Sequence, residues 1–327
     1  MDFRAISGLL CGIGIFLFSV VQMSESMKKL CEKKAESVLQ RFTKNRLSGV
    51  LCSAALTAVI QSSAAVTVTA VSLADCGKLS LSACTGIIMG SNIGTTATGV
   101  LVALNFYSAA PFLVLFGAFF LLVSKNKKIR AVSLFLCSLG LLFVGIETMK
   151  DSCAVLNENG LLSSFFSRCS SRFSGLLFGF VSTALVQSSS ATVGILQSLV
   201  SVGAVSRESA VFIICGQNIG ATVPTLLSAL SSDKKAKAAA LFHLLFNLFG
   251  TASVFIVSFL FPVSALFEKI EKGEVFVSAV HVLFNVLCTA VMFPFSTGVT
   301  DISEKIVGLF ERKSNRHLFG FLSESAR

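Results

Sequence analysis

The chain has 327 residues, 54% of them apolar and only 13% charged, with 31 Phe, 1 Tyr, no Trp and a mean hydropathy of +0.81. A soluble domain exposes about twice that share of charge, so these totals exclude an ordinary cytosolic enzyme, a disordered chain and a secreted disulfide scaffold. They predict a polytopic membrane protein, and the net charge of +10 lies in short clusters between apolar segments, an orientation signal rather than a nucleic-acid surface.

In chain order, residues 6–23 are apolar and lack a basic start or a small-residue cleavage site, so they read as a retained span and not a removed signal peptide. Residues 28–46 are basic and amphipathic and predict a helix lying on the inner leaflet. Six further segments have the length and composition of spans: 81–104, 109–123, 131–149, 209–230, 238–261 and 275–295. Residues 297–327 form a short polar tail. The 10 Cys are scattered without a C-x-x-C and read as small packing residues.

Two apolar stretches differ from the rest. Residues 47–73 and 173–202 are interrupted by Gln61-Ser62-Ser63 and by Gln187-Ser188-Ser189-Ser190. Each half is about 12 residues, too short to cross alone, which predicts two re-entrant hairpins at about 47–75 and 173–203.

The chain repeats itself at an offset of 126 residues. Residues 47–104 align without a gap on 173–230, with 23 identities in 58 positions. Gly90-x-Asn92-Ile93-Gly94-x-Thr96 matches Gly216-x-Asn218-Ile219-Gly220-x-Thr222. Three predicted crossings per repeat is an odd number, so the second copy is expected upside down. With the N-terminus outside and the C-terminus cytoplasmic, the inner segments hold 20 Lys and Arg and the outer ones 7. The expected fold is therefore all-α: two inverted-topology repeats, each with a re-entrant helical hairpin and a broken transmembrane helix. The expected division is 1–126 and 127–262 for the repeats, 263–296 for an extra span and 297–327 for the tail.

Such an architecture belongs to secondary transporters. Where a helix breaks, the returning half exposes unpaired N–H groups and a positive dipole end, which favour an anion. Ser62, Ser63, Ser188, Ser189 and Ser190 sit where that half begins, able to cap it or to bind an oxyanion. Two glycines around Asn92 and around Asn218 weaken a helix there. Unwound carbonyls, the Asn oxygens and the hydroxyls of Thr95, Thr96 and Thr222 are hard ligands suited to sodium. The competing reading of these glycines is close helix packing.

Paired Gln-Ser-Ser tips, each followed by G-x-N-x-G-x-T, resemble the type II sodium–phosphate cotransporter family and its bacterial relatives, over roughly residues 5–295. The resemblance implies sodium-coupled symport of inorganic phosphate. It implies phosphate at Gln61, Ser62, Ser63, Gln187, Ser188, Ser189 and Ser190, and sodium near Asn92, Thr96, Thr192, Asn218 and Thr222. Two departures stand out: Ala64 replaces the third Ser of the second tip, and the PhoU-like regulatory domain of many bacterial relatives has no counterpart in the tail.

His243-x-x-x-Asn247 and His281-x-x-x-Asn285 each lie on one helical face and read as hydrogen-bonding glue between helices. Asp75 and Glu147 read as interfacial carboxylates. The reading is thus a multi-pass protein of the cell membrane that is not an enzyme, with no catalytic residue, no transition metal and no cofactor beyond sodium as coupling ion. Its partners are phosphate, sodium and the bilayer, with assembly into a homo-oligomer left open. The alternatives are a carrier of another oxyanion or small carboxylate, a phosphate sensor, and a serine hydrolase, which the tips oppose by lacking a neighbouring base.

Overall fold

A computed structural model describes residues 3–42 and 45–325. Within them the chain forms α- and 3-10 helices and no strand. Positions 43–44 of the expected surface helix, and 326–327 of the tail, lie outside the described residues, as do the side chains of Lys33 and Lys34.

The first helix, α1 (Phe3–Phe42), runs without interruption through the expected span and the expected surface helix. Ser24-Glu25-Ser26-Met27 contains neither Gly nor Pro, so polarity changes there while the backbone does not. At 1.5 Å per residue this helix is about 60 Å long, roughly twice the hydrocarbon thickness. Next come α2 (Arg46–Ile60), α3 (Ser63–Asp75), α4 (Leu81–Ala103), α5 (Ala110–Val123) and α6 (Lys127–Glu158). After the short α7 (Leu161–Phe166), the chain continues as α8 (Arg172–Val186), α9 (Ser189–Ser201), α10 (Arg207–Gly220) and α11 (Val223–Ala229). The last two helices are α12 (Lys234–Leu260) and α13 (Gly273–Ser325), the latter joining the expected last span and tail in one helix with Pro294 inside it.

Six stretches of helix are long and apolar enough to cross a membrane among the described residues. The seventh expected span, 109–123, is a shorter apolar helix, Tyr107–Val123, at the lower edge of spanning length.

The repeat in sequence is a repeat in structure. Shifting α2, α3 and the start of α4 by 126 residues gives α8, α9 and the start of α10 residue for residue. Gly77 (φ +69°) and Gly203 (φ +72°) make the same left-handed turn after the second helix of each pair. Ser80 and Ser206 then cap α4 and α10 alike.

One expectation fails in the first copy. The broken transmembrane helix is absent there: α4 is continuous through Gly90–Thr96, whereas the second copy is interrupted between Gly220 and Val223. The physical cause is Pro224, which has no N–H to give the Gly220 carbonyl, whereas Thr98 at the matching place keeps that bond. The glycines serve packing instead. A Cβ on Gly94 would lie 2.5 Å from Ala54 O, and one on Gly220 would lie 2.7 Å from Phe180 O. α4 therefore lies close against α2, and α10 against α8.

Helix α12 serves as a ruler. Next to its first turn, Asp233 N donates to Asp75 Oδ1 (2.7 Å) at the end of α3. Near its last turn, Ser258 O accepts from Arg172 Nη2 (2.7 Å) at the start of α8. A separation of 25 positions along the helix places these anchors roughly 38 Å apart. Around Asp233 gather the ion pairs Lys237–Glu311 (3.2 Å) and, beyond α3, Lys78–Glu36 (3.4 Å). On the Arg172 side, Arg207 reaches Glu271 O (2.7 Å) and Ser264 reaches Glu208 (2.6 Å).

Candidate functional site

Both Gln-Ser-Ser tips fold the same way. Gln61 (φ 58°, ψ 29°) and Gln187 (φ 55°, ψ 23°) end their helices in the left-handed region, their N–H groups donating to Thr57 O and Thr183 O over 2.7 Å each. Ser62 and Ser188 are extended N-caps, whose Oγ atoms accept from Ala65 N (3.2 Å) and Ala191 N (3.3 Å). The left-handed position normally takes glycine, because a side chain there costs about 1–2 kcal/mol. Two copies that both keep Gln at that cost point to a use for its side chain.

The two tips line one cavity of about 200 Å³, which includes Gln61, Ser62, Ser63 and Gln187 through Ser190. Ser62 and Ser188 are engaged as caps, while the hydroxyls of Ser63, Ser189 and Ser190 carry no hydrogen bond among the described residues. Helices α3 and α9 thus present uncommitted hydroxyls and first-turn N–H groups to the same space.

The third wall is α1, through Val20, Val21, Ser24, Glu25 and Lys28. Lys28 Nζ lies 3.8 Å from the Glu25 carboxylate. The sequence reading missed this wall, taking Lys28 as an orientation charge. Its available signal was the spacing, since these positions share one helical face if the helix continues past Met23.

The tips differ around this shared frame. Gln61 Oε1 accepts from Thr98 Oγ1 (2.6 Å) and Gln61 Nε2 donates to Ala58 O, whereas the Gln187 side chain carries no hydrogen bond among the described residues. Thr192, expected near sodium, bridges the two arms of its own helix pair, 2.8 Å from Thr183 Oγ1 and 3.2 Å from Ser189 O. In the first copy Val66 replaces Thr192, and the buried Thr57 hydroxyl has no partner among the described residues.

The segments expected to hold sodium are buried. Thr95 and Thr96 donate to carbonyls of α4 and Thr222 to that of Ile219 at the end of α10 (2.8 Å each), so each hydroxyl oxygen keeps acceptor capacity. Asn92 and Asn218 each donate from Nδ2 to the carbonyl four residues back (2.9 Å), which leaves Oδ1 as an acceptor. Because α4 is continuous, its carbonyls are occupied by helix bonds, and the ligands left there are side-chain oxygens.

The glue expected of the two His/Asn pairs is half present. Asn247 and Asn285 bond back to the carbonyls of His243 (3.0 Å) and His281 (2.9 Å) in their own helices. His243 does reach across, to Asn92 and Thr225. Asp75 ties down the start of α12, and Glu147 is exposed on α6. Among the described residues, no group of three His, Cys, Asp or Glu could hold a metal.

A duplicated helix-break motif enclosing a small polar cavity, with six helices among the described residues long and apolar enough to cross a membrane, marks a helical membrane transport protein. The chain belongs to the Na+/Pi-cotransporter family, whose model matches residues 15–151 and 156–271. It is 27% identical over 283 residues to the "Uncharacterized protein YqeW" of Bacillus subtilis, covering 86% of this chain and 91% of that one. It is 23% identical over 302 residues to the "Putative inorganic phosphate export protein YjbB" of Escherichia coli, covering 91% of this chain and 55% of that one, so it spans about half the length of that relative. A 122-residue stretch, 35% of this chain, is 34% identical to 18% of the rat "Sodium-dependent phosphate transport protein 2A". No solved structure matches.

Proposed function

We propose that the protein is a sodium-coupled carrier of inorganic phosphate working by alternating access, with the anion held between the two Gln-Ser-Ser tips. The single observation behind this reading is the common cavity of both tips. Two helix N-termini, each carrying about half a positive charge, converge there with free serine hydroxyls and Lys28. In this reading sodium binds at the side-chain oxygens of Asn92 and Asn218 and their threonines. Taking up cation and anion together lowers the net charge moved through the low-dielectric interior.

The repeats, 1–126 and 127–262, are then inverted, and the helix pairs are re-entrant hairpins. In support, the pairs are anchored some 38 Å apart along α12 while their tips share one cavity. The two anchor regions also divide the Lys and Arg residues as the inner and outer segments do, which favours a cytoplasmic Asp75–Asp233 end in the cell membrane.

The test is phosphate flux into proteoliposomes with and without a sodium gradient, comparing wild type with Gln61→Ala and Gln187→Ala. Sodium-driven flux lost in both folded variants is the expected result, and normal flux in either removes that tip from the site. Sulfate and succinate as competitors test the anion class. An outward gradient tests net export, the reading favoured by the YjbB name.

A further inference from the structure

His243 stands in the middle of a directed hydrogen-bond chain between the Asn92 segment and the first tip. Asn92 Nδ2 lies 2.9 Å from Ile88 O and 3.2 Å from His243 Nε2. An amide nitrogen only donates, so Nε2 accepts and the imidazole proton sits on Nδ1. That nitrogen is 3.2 Å from Thr225 Oγ1, which is 2.9 Å from Thr67 Oγ1, which donates over 3.3 Å to Ala64 O. Ala64 lines the cavity of the tips. Each of Asn92, His243, Thr225 and Thr67 is 5% exposed or less, so water does not compete for these bonds.

The second half lacks the chain. At an offset of 126, Asn92, Thr225 and Thr67 correspond to Asn218, Gly99 and Val193, and neither Gly99 nor Val193 carries a hydroxyl. The correspondence holds in space, because a Cβ on Gly99 would lie 3.5 Å from Val193 Cγ1. His281 occupies the place of His243 in a second H-x-L-F-N-x-x-x-T-A segment, 281–290 against 243–252. These segments meet α10 and α4 equivalently, Thr251 reaching Cys215 O and Thr289 reaching Met89 O, 3.5 Å each. His281 Nδ1 is nevertheless buried without a partner among the described residues.

We propose that His243 is a positioning residue: it fixes the Asn92 amide with Oδ1 left for the coupling cation, and it links that cation to the first anion-binding tip. The inference rests on the sodium-coupled reading above. With both amide hydrogens donated, Asn92 cannot turn its nitrogen toward the cation. A cation at Oδ1 polarises the amide and strengthens each donation down to Ala64, whereas Asn218 has no such connection.

The test measures sodium half-saturation of phosphate flux in proteoliposomes, together with the sodium-dependent rise in melting temperature in detergent. His243→Leu, Thr225→Val and Thr67→Val are each expected to raise the sodium half-saturation roughly three- to tenfold and, because the coupling is reciprocal, to raise phosphate KM at saturating sodium as well. His243→Gln, which keeps an acceptor for Asn92, restores part of the shift, and His281→Leu leaves it at the wild-type value. A folded His243→Leu protein with wild-type sodium dependence in both measurements overturns the proposal, as does an equal shift in His281→Leu. Wild-type flux indifferent to sodium removes the sodium-coupled reading, and this inference with it.

Discussion

Thr98 Oγ1 donates a 2.6 Å hydrogen bond to Gln61 Oε1, and 126 positions further on Pro224 has no donor to offer Gln187. One motif therefore has two mechanical states, a Gln61 amide held by its neighbours and a Gln187 amide, without a bond among the described residues, lining the shared cavity. Thr98→Val releases Gln61. Phosphate KM is expected to rise roughly two- to tenfold with kcat little changed, as for loss of one neutral hydrogen bond. Flux kinetics in proteoliposomes check this.

Gln187→Gly is expected to stabilise the fold and abolish function. It relieves a left-handed side chain costing about 1–2 kcal/mol while deleting the amide that faces the cavity. Melting in detergent should move up as phosphate flux falls at least tenfold. A fall in melting temperature would show that the side chain supports the tip instead.

Glycine packing predicts a contrast in stability. A Cβ on Gly90 would collide with Val50 O and Ser53 Oγ, so Gly90→Ala should cost about 1–3 kcal/mol. Gly298 lies inside α13 with nothing within 4 Å, so Gly298→Ala should gain about 0.5–1 kcal/mol. Thermal unfolding of the two purified variants reads both signs.

Charge in the cavity wall predicts a salt-dependent effect. Lys28→Gln should raise phosphate KM about threefold at low ionic strength, and the difference should fade toward 1 M salt, where screening acts within about 3 Å. Glu25→Gln, which frees Lys28 from its partner, should lower KM under the same conditions.

The proposed orientation is open to direct labelling. Cys76 is exposed where α3 ends, beside the Asp75–Asp233 contact. With Cys76 as the sole thiol, a membrane-impermeant reagent should reach it only from the cytoplasmic face, and in Ser170→Cys on a background without other thiols it should reach the exposed position 170 only from outside. Labelling of both from one face would refute the inverted arrangement.

The two tips were legible because their signals are local. A polar Gln-Ser-Ser within an apolar stretch is a weak sign of a helix break by itself, and its recurrence in register at one offset made it legible. The misread glycines show the limit of that logic. Gly90 and Gly94 weaken α4 as an isolated helix by about 1 kcal/mol each, which predicted unwinding. Contact with α2 keeps it helical, since only a bare Cα fits beside Ala54 O.

The sequence by itself determined the membrane class, the duplicated frame and the two helix breaks at the Gln-Ser-Ser tips, because composition and periodicity act within a few residues of their cause. Only the tertiary structure decided that both tips share a cavity, that α1 closes it with Lys28, and that His243 joins Asn92 to Thr225. Those relationships join different helices, Gln61 with Gln187 across 126 positions and Asn92 with His243 across 151, and their partners are selected by how the helices pack.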